Sequence, residues 1–306
     1  MRALVLGGNG FIGSHIVDRL LAEGHSVRVF DRSTERFRDA LRGVDYRFGS
    51  FNDTPALSEA MQDVDIIYHA ISTTVPSTSN KDPVFDIESN LINTVRLLNL
   101  MTDSGVSRIV YLSSGGTVYG IPEYSPIKET HPLRPICSYG VVKIAIENYI
   151  HMYSHLHGLE YILLRASNPY GPRQGHIGVQ GVIGTFMGKY LNDEDVVVWG
   201  DGSVVRDFIY IDDLVELIVV AGQSNISGIL NAGSGVGSSI NDVISCLKSV
   251  SGKNLAPVYR PGRDYDVPSI VLDMDKARTI LNFSPSVSLE EGVMRTWEWM
   301  QKVIKE

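Results

Sequence analysis

Two side chains in the middle of the chain have the types and the spacing to move a proton. Tyr139 and Lys143 stand four residues apart at the start of a predicted helix, which places both on one helix face, about 5–6 Å apart at Cβ. Because an ammonium favours a nearby phenolate, we expect Lys143 to lower the pKa of Tyr139 and the pair to exchange protons near neutral pH. The spacing alone is weak evidence, since an amphipathic helix with a buried ring and a solvated lysine has it too.

The composition limits the class of protein. The chain has 306 residues, 43% of them hydrophobic, and a net charge of -8, so it is a poor partner for a nucleic-acid backbone. Cys137 and Cys246 stand far apart without metal-ligand spacing, and we expect no disulfide framework and no metal site. A strand-like run at residues 2–6 leaves no room for a signal peptide, and no apolar stretch approaches the ~20 residues that cross a bilayer. We therefore expect a cytoplasmic protein with no membrane partner.

A glycine-rich turn near the N-terminus predicts a dinucleotide site. The apolar run at 2–6 is followed by Gly7-Gly8-Asn9-Gly10-Phe11-Ile12-Gly13, a helical pattern, and a second apolar run that leads into Asp31. Glycines permit a tight turn and close backbone approach, and a helix N-terminus offers free N–H groups to a pyrophosphate. We expect the phosphate-binding turn to consist of Gly7, Gly10, Phe11, Ile12 and Gly13.

Asp31 bears on the choice of cofactor. A carboxylate there accepts hydrogen bonds from the ribose hydroxyls and repels a 2′-phosphate, which favours NAD over NADP. Arg32 could pair with that phosphate, so NADP stays as the less favoured alternative. Asp53 could reach the adenine, cap the following helix, or do both. Ala70 lies at the end of a predicted strand, where a small residue lets the nicotinamide ribose or the pyrophosphate approach.

Predicted strands and helices alternate along the first half of the chain. Strand patterns occur at 2–6, 27–30, 46–48, 66–69 and 108–112, and helical patterns at 34–41, 55–61 and 84–104. We expect an α/β fold, a Rossmann-type doubly wound parallel sheet with a smaller, mixed α/β C-terminal substrate domain. The dinucleotide-binding domain should span 1–170, with a returning segment near 205–232, and the substrate-binding domain mainly 171–306.

A hydroxyl-rich turn follows the strand pattern at 108–112. Ser113-Ser114-Gly115-Gly116-Thr117 would present side-chain donors at the carboxyl edge of the sheet, where α/β active sites form. His69 ends a neighbouring strand at the same edge, and we expect it to be packed or hydrogen-bonded rather than catalytic. A proline-rich loop at 121–137 then delivers the chain to Tyr139.

Taken in order, these segments resemble the extended short-chain dehydrogenase/reductase family, in particular its nucleotide-sugar epimerases and dehydratases. The matching pieces span residues 7 to 266 and only their ordered set is specific. In the first half they are Gly7-x-x-Gly10-x-x-Gly13, Asp31, Asp53, a segment similar to His-x-Ala that begins at His69, and Ser113-Ser114-x-x-x-Val118-Tyr119-Gly120. In the second half they are Tyr139-x-x-x-Lys143, Arg165-x-x-Asn168-x-Tyr170-Gly171-Pro172, Arg206-Asp207 and Arg263-x-x-Asp266.

The resemblance implies roles for the matching residues. Tyr139 and Lys143 would be the catalytic pair, and Lys143 would also bind the nicotinamide ribose. The substrate site would hold the nucleotide diphosphate through Asn168, Arg206 and Arg263, and would also include Gly115. The guanidinium fork of an arginine suits phosphate oxygens, although an ion pair is the alternative for each of the two.

The family pattern also raises the question of which hydroxyl assists the tyrosine. In the sugar epimerases this hydroxyl usually lies three residues before the valine of Val-Tyr-Gly, and here Gly115 occupies that position. We expect Thr117 to take over first, and Ser114 otherwise.

The resemblance favours a nucleotide-sugar 4-epimerase. Such an enzyme passes hydride from C4 to bound NAD and back through a 4-keto intermediate. A 4,6-dehydratase needs an Asp-Glu pair where this chain has Gly116 and Thr117, which disfavours that reaction. A 4-keto sugar reductase that consumes NADPH is the alternative enzyme, and a non-catalytic nucleotide sensor is the alternative of another class.

The substrate and the assembly follow from the resemblance alone. A UDP-sugar is favoured. Ile270 matches a pocket-wall position of intermediate size, so both UDP-hexoses and UDP-N-acetylhexosamines stay open. Relatives commonly dimerise through two helices, here 84–104 and 139–156, so we expect a homodimer.

Overall fold

The backbone alternates strands and helices as the sequence predicts. The computed structural model describes residues 1–175, 181–262 and 267–303. Its strands are β1 (Arg2–Leu6), β2 (Ser26–Asp31), β3 (Val44–Phe48), β4 (Ile66–His69), β5 (Arg108–Ser114), β6 (Glu160–Ala166), β7 (Asn168–Tyr170), β8 (Val197–Trp199), β9 (Val205–Tyr210), β10 (Gly228–Ala232), β11 (Gly237–Ser239), β12 (Val258–Arg260) and β13 (Ser269–Ile270).

Helices occupy most of the connections between these strands. They are α1 (Phe11–Ala22), α2 (Thr54–Ala60), α3 (Pro76–Ser79), α4 (Pro83–Asp86), α5 (Asn93–Ser104), α6 (Ser138–His157), α7 (Val182–Leu191), α8 (Ile211–Gln223), α9 (Ile240–Ser251), α10 (Asp275–Leu281) and α11 (Leu289–Val303). A π-helical stretch at Ile87–Ile92 joins α4 to α5.

The largest sheet has seven strands in the order β10-β6-β5-β4-β1-β2-β3. Its last six strands follow the 3-2-1-4-5-6 order of dinucleotide-binding sheets. Because β1, β4 and β5 are parallel, with Leu6 opposite His69 and His69 opposite Tyr111, the residues that follow these strands meet at one edge. The fold class is therefore the Rossmann-type α/β class that the sequence predicts.

The chain separates into two compact units. The first contains Met1–Gly120, Leu133–Arg165 and Val215–Leu230, and the second contains Ile121–Pro132, Ala166–Leu214 and Asn231–Glu306. The second unit holds a four-stranded sheet, in which β9 pairs with β7, β11 and β13, and a two-stranded sheet of β8 and β12.

Two segments that the sequence analysis assigned to the first domain pack differently. Residues 121–132 belong to the second unit because Ile127 N donates to Val271 O at 2.8 Å and Ile127 O accepts from Asn231 Nδ2 at 2.8 Å. Within the segment 205–232, residues 215–230 return to the first unit, whereas β9 pairs with strands of the second unit.

Two helix predictions need correction. The helix predicted at 34–41 is wrong, because this segment is irregular. Tertiary contacts hold it instead, since Arg38 forms a salt bridge with Asp18 and Ser33 O accepts from Asn9 Nδ2 at 2.6 Å. The helix predicted at 84–104 is helical but contains the π-helical stretch.

Across the three described ranges, no helix combines the length and the apolarity that crossing a membrane requires. Within the same ranges, no group of three or more His, Cys, Asp or Glu residues could hold a metal ion.

Candidate active site

The turn after β1 is so tightly packed that two of its positions have little or no room for a Cβ atom. Gly10 N donates to Gly7 O at 3.0 Å, which closes the turn. A Cβ on Gly13 would lie 2.1 Å from Gly7 O, and a Cβ on Gly7, whose φ is +79°, would lie 3.3 Å from the Ala70 carbonyl carbon. Gly10 is the N-cap of α1, which carries no side-chain cap. This cradle fits a pyrophosphate at the helix N-terminus.

Asp31 closes the other end of the predicted cofactor site. Its Oδ2 accepts from Asn9 N at 3.1 Å, and its Oδ1 accepts from the backbone N and the hydroxyl of Ser33, both at 3.1 Å. The carboxylate is therefore fixed in place at the end of β2, as binding to a ribose diol requires. Arg32 is exposed beside it. Phe11 and Ile12 begin α1, directly after the cradle.

Asp53 caps the helix that follows it. Its Oδ1 accepts from Ala56 N at 3.1 Å, so the N-cap interpretation is confirmed. Contact with an adenine stays a prediction, because the carboxylate is exposed and keeps acceptor capacity for a second partner.

Close packing at Gly140 brings the start of α6 to the hydroxyl-rich turn. A Cβ on Gly140 would lie 2.8 Å from Thr117 O and 2.8 Å from Pro135 Cβ, so a larger residue would push the helix away. The first turn of α6 is also held at Tyr139, whose backbone N donates to Ser79 Oγ at 3.1 Å. The structure thus brings Tyr139 and Thr117 into one neighbourhood, as the sequence analysis expects.

Lys143 is buried near the ring of Tyr139. Its Nζ donates to Leu112 O at 2.8 Å and lies 5.4 Å from the centre of the Tyr139 ring and 4.7 Å from that of Tyr111. The carbonyl belongs to the end of β5, so the lysine ties α6 to the carboxyl edge of the sheet. The predicted pair of Tyr139 and Lys143 is therefore assembled.

One turn further along α6, a buried ion pair anchors the helix to two strands. Glu147 accepts from Arg165 Nη2 at 2.7 Å and from Ser113 Oγ at 2.5 Å. Arg165 lies in β6 and Ser113 in β5. The negative charge of Glu147 also raises the pKa of Lys143 and so opposes the effect of burial on that amine.

The prediction that the pKa of Tyr139 is lowered is wrong for the protein chain alone. Burial is the main reason that the pKa of Tyr139 is raised to about 12. The side chain of Ser72 opposes the increase by hydrogen bonding, and the charges of Asp86 and Cys137 contribute to it. Burial also lowers the pKa of Lys143 to about 8. Burial has opposite effects on the two pKa values because it favours the neutral form of each side chain, the phenol of Tyr139 and the amine of Lys143.

A pH titration of the protein freed of nucleotide should reveal the raised pKa of Tyr139. Because its pKa is raised above that of an ordinary phenol, Tyr139 should stay protonated up to about pH 10. Wild type and Tyr139→Phe should therefore develop the same tyrosinate absorbance over that range. Extra phenolate in the wild type below about pH 8 would contradict the expectation.

The three candidates at the hydroxyl-rich turn have different environments. Thr117 Oγ1 is buried and has no hydrogen-bond partner within residues 1–175, 181–262 and 267–303. An unmet buried hydroxyl is costly, so a ligand that met it would gain affinity. Ser114 is partly exposed and its backbone O accepts from Val118 N at 3.1 Å. Gly115 is buried. Thr117 remains our first candidate for the assisting hydroxyl.

Replacement of Thr117 tests this assignment. Thr117→Ala should lower kcat by about 10- to 100-fold, which corresponds to a lost hydrogen bond of about 1.5–3 kcal/mol to a charged group. Thr117→Ser should restore most of the rate, and Ser114→Ala should leave it nearly unchanged. Unaltered turnover of Thr117→Ala in a steady-state assay would exclude the role.

His69 is packed at the same edge and is kept neutral. Its Nε2 lies 3.2 Å from Thr94 Oγ1, its ring contacts Phe51 and Tyr111, and burial lowers its pKa to about 3. The neutral form of the imidazole is therefore favoured near neutral pH, which agrees with the packed interpretation.

The predicted phosphate-binding residues lie on paired strands of the second unit. Asn168 Nδ2 donates to Asp207 O at 2.9 Å, and Arg206 Nη1 donates to Val267 O at 2.7 Å. Asp207 is fully buried, and burial raises its pKa while hydrogen bonds from Ser234, Leu272 and Gly235 oppose the increase. These bonds fix β9 and hence the base of Arg206. The third predicted residue, Arg263, lies outside the described residues.

Two side chains near the phenol were missed by the sequence analysis. Ser72 follows β4 and interacts with Tyr139 directly, and Asp86 in α4 influences its charge state. The position of Ser72, three residues after a strand end at the ligand-binding edge, is a signal that could have found it. Nothing in the local sequence marks Asp86, because its partners Thr74 and Ser138 lie in other parts of the chain.

The chain is similar to a known family of enzymes over most of its length. The NAD dependent epimerase/dehydratase family matches residues 3–233. The chain is 35% identical over 311 residues to the UDP-glucose 4-epimerase of Mycolicibacterium smegmatis, covering 98% of this chain and 99% of that protein.

Two crystal structures match over nearly their whole length. UDP-glucose 4-epimerase of Thermotoga maritima with UDP-glucose has a TM-score of 0.95 at 34% identity, covering 99% of this chain and 100% of that one. The Thermus thermophilus enzyme of the same name, in complex with NAD, has a TM-score of 0.91 at 34% identity, covering 98% of this chain and 99% of that one. The chain therefore belongs to the NAD dependent epimerase/dehydratase family.

Proposed function

We propose that the protein is an NAD-dependent nucleotide-sugar 4-epimerase that acts on a UDP-sugar. The observation that carries this proposal is the Tyr139–Lys143 pair. Its amine lies 5.4 Å from the phenol ring centre and donates to the carbonyl of Leu112, two residues before the end of β5. The full-length similarity to UDP-glucose 4-epimerases supports it. The glycine cradle and the carboxylate of Asp31 fit NAD.

Each residue of the pair has a distinct task in this proposal. Tyr139 accepts the proton of the sugar 4-hydroxyl and returns it after the 4-keto intermediate has turned over. The glycine cradle and Asp31 would hold NAD, which would supply a reversible hydride acceptor for C4, so that no net oxidation would occur. Lys143 holds the nicotinamide ribose and places a positive charge near the phenol. Thr117, or Ser114 in its stead, donates to the reacting oxygen.

Three further residues concern the nucleotide part of the substrate. We propose that Asn168, Arg206 and Arg263 bind the diphosphate, for which a guanidinium fork is well suited. Gly115 would line the sugar site. Ile270 pairs with Arg206 across β13 and β9, and its intermediate size leaves UDP-hexoses and UDP-N-acetylhexosamines as substrates to compare.

A panel of UDP-, GDP- and dTDP-hexoses tests the function. Each sugar is incubated with the protein with and without added NAD, and both the 4-epimer and the nicotinamide absorbance are followed. We expect UDP-sugars to interconvert with their 4-epimers with no net change in reduced cofactor. A deuterium at C4 should stay at C4 of the product. Reaction only while NADPH is consumed would identify a 4-keto sugar reductase instead, and binding without turnover would identify a sensor.

We also propose that the protein is a homodimer through α6 and the helical segment 83–104. These helices pack against each other and present large apolar side chains to solvent. The side chains are Val84, Phe85, Ile87, Ile92, Val141, Tyr149, Met152 and Leu156. Those of α6 recur on one helix face, and an apolar face of this kind is typical of an interface.

Charge placed on this surface should separate the subunits. Sedimentation of the wild type should give twice the chain mass of 33.7 kDa, whereas Phe85→Glu and Leu156→Glu should give monomers. Ile121→Glu changes an equally exposed residue of the second unit and should leave the mass unchanged. A monomeric wild type would contradict the proposal.

We further propose a cytoplasmic location, which the two free cysteines support.

A further inference from the structure

A fully buried carboxylate lies beside the first turn of α6. Asp86 has no exposed surface, and its Oδ1 accepts from Thr74 Oγ1 at 2.6 Å and from Asn90 Nδ2 at 2.9 Å. Its Oδ2 accepts from Ser138 Oγ at 2.7 Å. Ser138 directly precedes Tyr139. The carboxylate is thus one hydrogen bond away from the residue that adjoins the catalytic tyrosine.

The same segment of chain also caps the helix. The N-cap residue Cys137 provides no side-chain hydrogen bond. Instead, Ser138 N donates to Asn80 Oδ1 at 2.8 Å, and Tyr139 N donates to Ser79 Oγ at 3.1 Å. Residues 79–86 therefore satisfy two of the free N–H groups that begin α6. The direction of the tyrosine depends on this segment.

The charge of Asp86 is unusual for a packing role. A buried carboxylate costs free energy unless hydrogen bonds or a cation compensate it. The cation that Asp86 influences electrostatically is Lys143. Three donors and the positive end of the α6 dipole offset part of that cost. An asparagine could make similar hydrogen bonds without the charge, so the charge itself calls for an explanation.

The groups that face the phenol come from several elements. They are Ser72 from the loop after β4, Asp86 from α4, Tyr111 from β5, and Cys137 and Lys143 from α6 and its N-cap. Asp86 raises the pKa of both Tyr139 and Lys143. It therefore favours a protonated phenol next to a charged lysine.

We propose that Asp86 is a positioning residue, which orients Tyr139 through the hydrogen bond to Ser138 and places a buried negative charge beside the first turn of α6. This inference rests on the proposed function, since it concerns the same phenol. It assigns a task to a residue that has no exposed surface and whose carboxylate accepts from side chains of the protein. The hydroxyl of Ser138 transmits the position, and the field of the carboxylate acts on the proton.

Removal of the charge and removal of the tether have different expected effects. In Asp86→Asn, the acid limb of the kcat/KM profile should move to lower pH by about 0.5–1 unit, because a negative charge near the phenol is lost. In Ser138→Ala, kcat should fall about tenfold, the contribution of roughly one hydrogen bond, with KM and the acid limb unchanged. Ser138→Thr should restore kcat.

Asp213→Asn is the matched control. Asp213 is also buried and accepts from Ser286 N, Ser286 Oγ and Val287 N, all within the second unit. Its replacement should lower the melting temperature without moving the acid limb. If Asp86→Asn fails to fold, Ser138→Ala decides, and an unchanged kcat in that variant overturns the proposal. An unmoved acid limb in folded Asp86→Asn overturns it as well.

A second measurement separates this proposal from the proposed function. The tyrosinate absorbance of Asp86→Asn is compared with that of the wild type, with Tyr139→Phe as the reference. Tyr139 should ionise at lower pH in Asp86→Asn, whichever sugar is the substrate. A shift without epimerase activity would contradict the proposed function alone, and activity without a shift would contradict the role of Asp86 alone.

Discussion

Tyr139→Phe is expected to lower kcat by about 10²–10⁴-fold, the usual contribution of a positioned proton-transfer group. The ring stays, so its contact with Lys143 and the packing at Gly140 should persist. The hydroxyl that accepts the proton of the sugar is lost. We therefore expect KM, NAD content and the melting temperature to stay close to those of the wild type. Steady-state kinetics with the epimer pair found by the substrate panel measures the effect.

Tyr153→Phe provides the comparison on the same helix. The Tyr153 hydroxyl donates to Asn99 Oδ1 at 2.5 Å, away from the hydroxyl-rich turn. Loss of this hydrogen bond should cost about 1 kcal/mol of stability and leave turnover unchanged. If Tyr139→Phe kept more than about a tenth of the wild-type kcat, general acid–base catalysis by Tyr139 would be refuted.

Gly13→Ala should abolish or strongly weaken cofactor binding. The new Cβ would lie 2.1 Å from Gly7 O and 2.8 Å from Gly7 C, and a backbone atom cannot rotate away as a side chain can. Relief requires the turn to move, at a cost of about 1–3 kcal/mol. The cradle then no longer fits the pyrophosphate, and NAD affinity should fall at least about tenfold, since about 1.4 kcal/mol corresponds to that factor. Calorimetric titration with NAD measures it.

Graded substitutions control for a general effect of glycine replacement. A Cβ on Gly10 would meet Gly7 O at 3.2 Å, and a Cβ on Gly175 would meet nothing within 4 Å. Gly10→Ala should therefore weaken NAD binding less than Gly13→Ala, and Gly175→Ala should leave it unchanged. Equal losses in all three variants would argue against a steric origin at the cradle.

The first half of the fold was predictable because its signals are local. The apolar run of β1, the glycines of the turn and the acid at Asp31 follow one another within about thirty residues, and their backbone requirements leave few alternatives. The helix predicted at 34–41 shows the limit of such patterns. Its spacing suits a helix, but contacts of Arg38 and Ser33 with distant residues hold an irregular path.

The second unit was harder to predict. The loop at 121–132 is irregular and rich in proline, and hydrogen bonds to distant residues, among them Val271 and Asn231, place it in the second unit. Similarly, the motif Arg206-Asp207 indicates a phosphate site, but the sequence does not reveal that the Asp207 carboxylate accepts from backbone groups at Ser234 and Leu272. Such partners lie far away along the chain.

The sequence by itself determined the nucleotide-binding sheet, the glycine cradle and the pairing of Tyr139 with Lys143. The sheet follows from the alternation of strand and helix patterns, and the cradle and the pair depend on spacing within one turn or one helix, which backbone geometry fixes. Only the tertiary structure decided the protonation of that pair, because it depends on burial and on charges brought from other elements. Lys143 alone predicts an easily ionised phenol. Burial and Asp86 reverse that direction and keep the proton on Tyr139.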